Sequence, residues 1–131
     1  MDNKRPSKKA IGISAEKITE VFLTDKGYEV LAKNFKTKFG EIDLIAKKGD
    51  HLVFVEVKST SKETPYNPEE KVNLHKKRRI LWSAKIFCLK NSQILSRIKS
   101  ISFDVVVVNL KDGEIKHYES AFFIEGDFSI Y

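Results

Sequence analysis

The sequence predicts an α/β domain built on one mixed sheet with helices on its faces, in the order αβββαββ. Three observations carry this expectation. Apolar residues at helical spacing, Ala15, Ile18 and Phe22 with Val21 beside them, precede a block of β-rich runs. Two of those runs, 40–46 and 51–58, flank Lys47-Lys48-Gly49-Asp50, which is a hairpin signal. A long helical stretch then leads to Val105-Val106-Val107-Val108, a continuous apolar core suited to a strand covered on both faces.

In chain order, a helix from Ser14 to about Lys26 is stopped by Gly27. Its outer side carries Glu16 and Glu20, like charges one turn apart that do nothing for helix stability. Tyr28 to Phe35 alternates loosely and reads as the first strand, and the hairpin supplies the second and third. Asn67-Pro68-Glu69-Glu70 has the chemistry of a helix start: an Asn cap, Pro in the first turn and acids at the positive end of the dipole. The helix that follows is expected to bury Ile80, Ala84, Phe87 and Cys88, with Trp82 also in the core. Its first turns carry His75-Lys76-Lys77-Arg78-Arg79 almost all round, so they must face water or an anion. A short helical piece with Ile94, Leu95 and Ile98 leads into a strand over 101–109, and Asp112-Gly113 turns the chain back into a partner over 114–118.

The 131 residues suffice for one compact domain, expected over 12–131 behind a basic, flexible arm at 1–11. Apolar residues at 41% and charged residues at 32% exclude a disordered chain. No unbroken apolar run exceeds four residues, which excludes a helical membrane span, and the polar Met1 to Lys9 has no apolar stretch behind it to make a secretory signal. The lone Cys88 excludes an internal disulfide framework and a Cys-rich zinc ribbon. A cytoplasmic protein is the expectation, and a net charge of +6 favours a polyanionic partner.

Within the hairpin, alternation puts Glu41 and Asp43 on one face of their strand and Glu56 and Lys58 on one face of theirs. An even-numbered turn that pairs Lys47 with Asp50 sets Glu41 opposite Glu56 and Asp43 opposite Phe54, so all four polar groups share a face. Ile42, Leu44, Val53, Val55 and Val57 then form the opposite, apolar face. Acids facing each other across a strand pair repel, and on a half-buried face they need a cation. A divalent metal would serve, and so would an ion pair with Lys58; spacing alone leaves the two readings level.

Gly40-Glu41-Ile42-Asp43, followed thirteen positions after Asp43 by Glu56-Val57-Lys58, resembles the PD-(D/E)XK nuclease signature. The chain is also similar to one family within that group, the YraN-like endonucleases. Their landmarks run in order from Gly12 and Glu16 through Gly27-Tyr28, Asn34, 40–46, 54–58, Lys76 and Phe103-Asp104-Val105-Val106 to Ala121-Phe122. The resemblance implies a restriction-endonuclease-like core, related to Holliday-junction resolvases, that cleaves DNA, branched or structured DNA included.

It implies Asp43 and Glu56 as metal carboxylates, with the Val57 carbonyl beside them, Lys58 as catalytic lysine and Glu16 as an acid brought by the first helix. Glu41 belongs to the motif without a fixed role. Mg²⁺ or Mn²⁺ is the implied cofactor, and a homodimer that pairs two sites is the implied assembly; no membrane and no small-molecule cofactor are expected. Thr60 and Ser102 stand where the family commonly has Arg, so substrate contacts at those two places are not carried over. Lys76, Lys77, Arg78 and Arg79, with Lys36 and Lys38, are the basic groups expected to track phosphates. A non-catalytic nucleic-acid-binding module on the same fold is the alternative expectation. His51, His75 and His117 are expected to be structural or at the surface.

Overall fold

The computed structural model describes residues 8–61 and 74–122. The elements are α1 (Lys8–Asp25), β1 (Glu29–Thr37), β2 (Gly40–Lys48), β3 (His51–Thr60), α2 (Leu74–Lys90), α3 (Ser92–Leu95), β4 (Ser100–Asn109) and β5 (Ile115–Phe122). The sequence-predicted helix start at Asn67-Pro68 lies outside the described residues. The strands form one open sheet in the order β1-β2-β3-β4-β5. Only β3 and β4 run parallel, and α2 and α3 lie in the crossover between them. The sheet is therefore mixed, as expected for the class.

Helix α1 covers one face, where Ala15, Leu23 and Tyr28 pack with Leu44, Val53, Val55, Val106 and Val108. Helix α2 covers the other, with Ile80, Ala84, Phe87 and Cys88 on Ile42, Ile45, Phe54, Phe103 and Val105. Burial pushes the Cys88 thiol up to about 11, so it is inert packing.

Four details depart from the expectation. Helix α1 begins at Lys8, so residues 8–11 of the anticipated arm are helical; nothing after Pro6 breaks a helix. Its inward stripe is Ala15, Thr19 and Leu23, while Ile18 and Val21 are exposed. Thr19 can be buried because its hydroxyl donates to the Ala15 carbonyl, 2.8 Å away. Trp82 is not core either: it is 50% exposed, between the buried Leu81 and Ser83. Strand β5 runs on to Phe122, past Tyr118.

The hairpin loop is Gly49-Asp50, with Lys48 opposite His51, so the ladder sits two places from the expected register. Continued outward it sets Asp43, not Glu41, across from Glu56. A two-place slip leaves every side chain on its face. Alternation itself breaks at Asp43: Leu44 packs under α1, yet Ile42 packs under α2 alongside Ile45. Ile42 thus leaves the apolar face to which the sequence assigned it. The neighbouring strand breaks at the matching place, where Asn34 adopts φ 50°, between the pairs Lys33–Leu44 and Phe35–Ile42. Asn tolerates this left-handed backbone better than most residues with a side chain.

On the α1 face, Asp104 is 1% exposed and fully bonded. Its Oδ1 accepts from Ser102 Oγ (2.7 Å) and the Ser120 N–H (2.9 Å), and its Oδ2 accepts from His117 Nε2 (2.7 Å). Lys26 Nζ donates to His117 Nδ1 at 2.9 Å, and His51 bridges Ser100 and Ser102 at 2.7 and 2.8 Å. His51 and His117 are therefore structural, as the sequence suggested, and Asp104 ties β4 to β5 and to the end of α1. Removing one partner of such a buried set strands the rest, so Asp104→Ala should cost roughly 3–5 kcal/mol in urea unfolding. A loss below about 1 kcal/mol would show that the network does not hold the sheet edge.

Candidate active site

Strand β2 leaves β3 just where the acids begin. The ladder is regular from Lys48–His51 to Leu44–Val55, and the next N–H on that side of β3, at Val57, is taken by the Asp43 carboxylate instead (2.8 Å to Oδ2). A side chain thus replaces a rung, and the gap between the strands opens into a small cleft. Glu41, Asp43, Glu56 and Lys76 line it, with Ile42, Phe54, Ile80 and Phe122 as its apolar walls. Its volume of about 40 Å³ leaves room for more than one water-sized group. Helix α2 passes beside Gly40, where a Cβ would meet the Arg79 Cβ at an ordinary van der Waals distance of 3.6 Å.

Electrostatics in the cleft are out of balance. Burial pushes the Asp43 carboxyl up to about 6, with the charges of Glu56, Glu16 and Glu41 adding to that, while the Val57 N–H opposes it. Glu16 reaches this group from α1; burial raises its pKa too, the Asn34 side chain opposes by a hydrogen bond, and Glu41 adds repulsion. Two cations sit on Glu56 Oε1: Lys58 at 3.0 Å, and Lys76 in direct contact from α2. Glu56 Oε2 is buried with no hydrogen-bond partner.

The structure brings together Glu41, Asp43, Glu56 and Lys58, as the spacing suggested, and adds Glu16 from α1, which only the resemblance implied, with the Val57 N–H bonded to Asp43. Lys76 does something the sequence did not indicate, since it points into the cleft. Lys36, Lys38, Arg78 and Arg79 are exposed, and Lys77 is half-buried with its ammonium 6.0 Å from the Phe122 ring. Sequence reasoning named Asn34 only as a landmark of the resemblance and gave it no role; its local signal was a turn-forming residue inside a β-rich run.

Among the described residues, no three His, Cys, Asp or Glu side chains form a metal cage. The metal-ligating oxygens present are those of two carboxylates, one of these oxygens buried with no hydrogen-bond partner. That set fits a small hard cation that keeps part of its water shell, such as Mg²⁺ or Mn²⁺.

A carboxyl raised from 3.8 to about 6 makes folding less favourable as it ionises. The folded chain holds this proton more tightly than the unfolded one, so stability falls as pH rises from about 4 to about 6. Asp43→Asn keeps an acceptor for the Val57 N–H and removes the charge. In chelator it should stabilise the protein at pH above 7 by roughly 1–3 kcal/mol in urea unfolding and give no gain below pH about 4. Destabilisation at both pH values would contradict the strained-carboxylate account.

A profile for the Uncharacterised protein family UPF0102 matches residues 15–108. The chain is similar to a UPF0102 protein of Dictyoglomus turgidum, 43% identical over 112 residues that cover 85% of this chain and 92% of that one. A UPF0102 protein of Thermodesulfovibrio yellowstonii is 39% identical over 113 residues, covering 86% and 96%. Among solved structures, Pyrococcus furiosus SfsA in complex with Ca²⁺ superposes with a TM-score of 0.38 at 14% identity, over 82% of this chain and 62% of that one. No helix among the described residues is long and apolar enough to cross a membrane. Matched by the profile from the first core residue of α1 to the end of the β4 core, and by full-length relatives, the chain belongs to the UPF0102 family.

Proposed function

We propose that the protein is a metal-dependent endonuclease of the PD-(D/E)XK type, with a restriction-endonuclease-like core, that hydrolyses DNA phosphodiester bonds. One observation carries the reading. Asp43 and Glu56, from strands that part at that point, meet Lys58 in a cleft whose acids are under-neutralised and whose Glu56 Oε2 has no partner. A structural ion pair would satisfy its members; this one leaves capacity for a cation.

Phosphodiester hydrolysis needs a water in line with the leaving oxygen and positive charge where the phosphoryl oxygens gain negative charge. Asp43, Glu56 and the Val57 carbonyl would hold Mg²⁺ or Mn²⁺, which supplies Lewis-acid stabilisation and a water of lowered pKa. Lys58, already 3.0 Å from Glu56, is placed to orient that water or to meet the developing charge. Lys76 contacts the same Glu56 Oε1 from α2 and helps to hold the carboxylate in place. Glu16, tethered to Asn34, lies behind Asp43 as an outer-shell acid. Glu41 adds negative potential from the rim. The exposed Lys36, Lys38, Arg78 and Arg79 are available to meet phosphates.

One observation favours a second reading. Because Lys76 and Lys58 both already rest on Glu56, a nucleic-acid-binding module that has dispensed with metal would look similar. It predicts salt-sensitive DNA binding with neither cleavage nor metal affinity.

The nuclease reading predicts that purified protein with Mg²⁺ or Mn²⁺ nicks linear or branched DNA and that chelator stops it. Asp43→Ala and Glu56→Ala should abolish cleavage, and Lys58→Ala should lower it by about 100-fold or more. Cleavage that survives in all three variants would refute the assignment. Loss of phosphate contacts in Arg78→Ala or Arg79→Ala should instead flatten the salt dependence of DNA binding by about one unit of slope each.

A further inference from the structure

An aromatic pair stands at the β1–β2 turn, outside the lining of the cleft and outside both core clusters. Trp82 is held on α2 by buried neighbours yet is 50% exposed, and Phe39, at the tip of the β1–β2 turn, stacks on it with centroids 5.5 Å apart at 29°. The tip is fixed in place. Thr37 and Ser83 share a hydrogen bond of 2.8 Å between hydroxyls, and the Phe39 N–H donates to Thr37 Oγ1 at 3.0 Å. Cations border the pair: Lys38 lies 5.2 Å from the Phe39 centroid and Lys85 5.0 Å from that of Trp82. Arg78 and Arg79, both exposed, come one helical turn before Trp82 on the same side of α2.

Burial does not explain an indole kept at the surface, and its basic border argues against an apolar protein partner. A rigid aromatic face edged by ammonium and guanidinium groups has the chemistry that takes the π-face of a base while cations hold the adjoining phosphates. Bases inside a duplex cannot reach such a face. Position along the chain supports the same partner. Gly40 follows Phe39, and Asp43 lies four residues from it on β2, ~13 Å of strand. That span corresponds to roughly two to four nucleotides of one strand.

We infer that Phe39 and Trp82 form a stacking platform for an unpaired nucleobase a few nucleotides from the cleft, so that the substrate class is DNA with a single-stranded segment. This rests on the nuclease reading for what happens in the cleft, whereas the platform itself can be tested without cleavage. Lys85 gives up its place over the indole to the base, a better stacking partner than a single ammonium.

Trp82 is the single tryptophan of the chain, so intrinsic fluorescence reports on this site alone. The full-length protein in chelator is titrated with short oligothymidylate and with a duplex of equal length, with labelled-strand anisotropy read in parallel. Quenching of Trp82 emission that saturates together with single-strand binding, and is weaker with duplex, is expected. Trp82→Ala should weaken single-strand binding roughly tenfold and spare duplex binding, while Trp82→Phe should retain most of it; thermal unfolding checks that both variants fold. Single-strand binding with unchanged emission, or equal affinity in wild type and both variants, would overturn the platform and leave the nuclease reading standing. Failure to bind any DNA would overturn both. Quenching without cleavage under Mn²⁺ would support the platform and remove the nuclease reading.

Discussion

Where β2 parts from β3, the Asp43 carboxylate takes the Val57 N–H that a continuing ladder would have used, and the remaining acids gather in the gap this opens. Much else at this end of the sheet follows from that substitution of a side chain for a rung. The left-handed Asn34 lets β1 follow the break and at the same time tethers Glu16. Helix α2 packs beside Gly40, and from it Lys76 reaches Glu56. The change of face at Asp43 sends Ile42 into the core beneath α2, where it walls the cleft on its apolar side.

Two aspartates on strands of the same sheet show what the arrangement costs. Asp104 has a hydroxyl, a main-chain N–H and an imidazole arranged around it, so its burial is compensated. Asp43 has one N–H and three acidic neighbours. A fold that needed only stability would have neutralised the second as it did the first. A carboxyl left under strain at a strand break marks a candidate functional group.

The α/β class, the hairpin and the grouping of Glu41, Asp43, Glu56 and Lys58 were legible in the sequence because each rests on a period of two or on local turn chemistry. The register was not, because Lys47-Lys48-Gly49-Asp50 can close with either pair outermost; Asp43 and Glu56 still share a face because the error was an even number of places. The break at Asp43 was invisible, since it depends on a backbone dihedral at Asn34 in a different strand. Lys76 could not be placed in the cleft from a run of five basic or titratable residues, as only the docking of α2 on Gly40 decides which of them turns inward. Trp82 was misread for the opposite reason: helical spacing said it was next to the core stripe, and the tip of the β1–β2 turn, which holds it outside, is distant in the chain.

The central claim is that the cleft between β2 and β3 is built for a divalent cation. It is tested most directly by the anomalous signal of Mn²⁺ in crystals of the protein soaked with that ion. The account predicts a peak ligated by Asp43 and by Glu56, with Lys76 displaced from the carboxylate. Absence of a peak at saturating Mn²⁺, with Lys76 and Lys58 still seated on Glu56, would contradict it and leave a structural ion pair in its place.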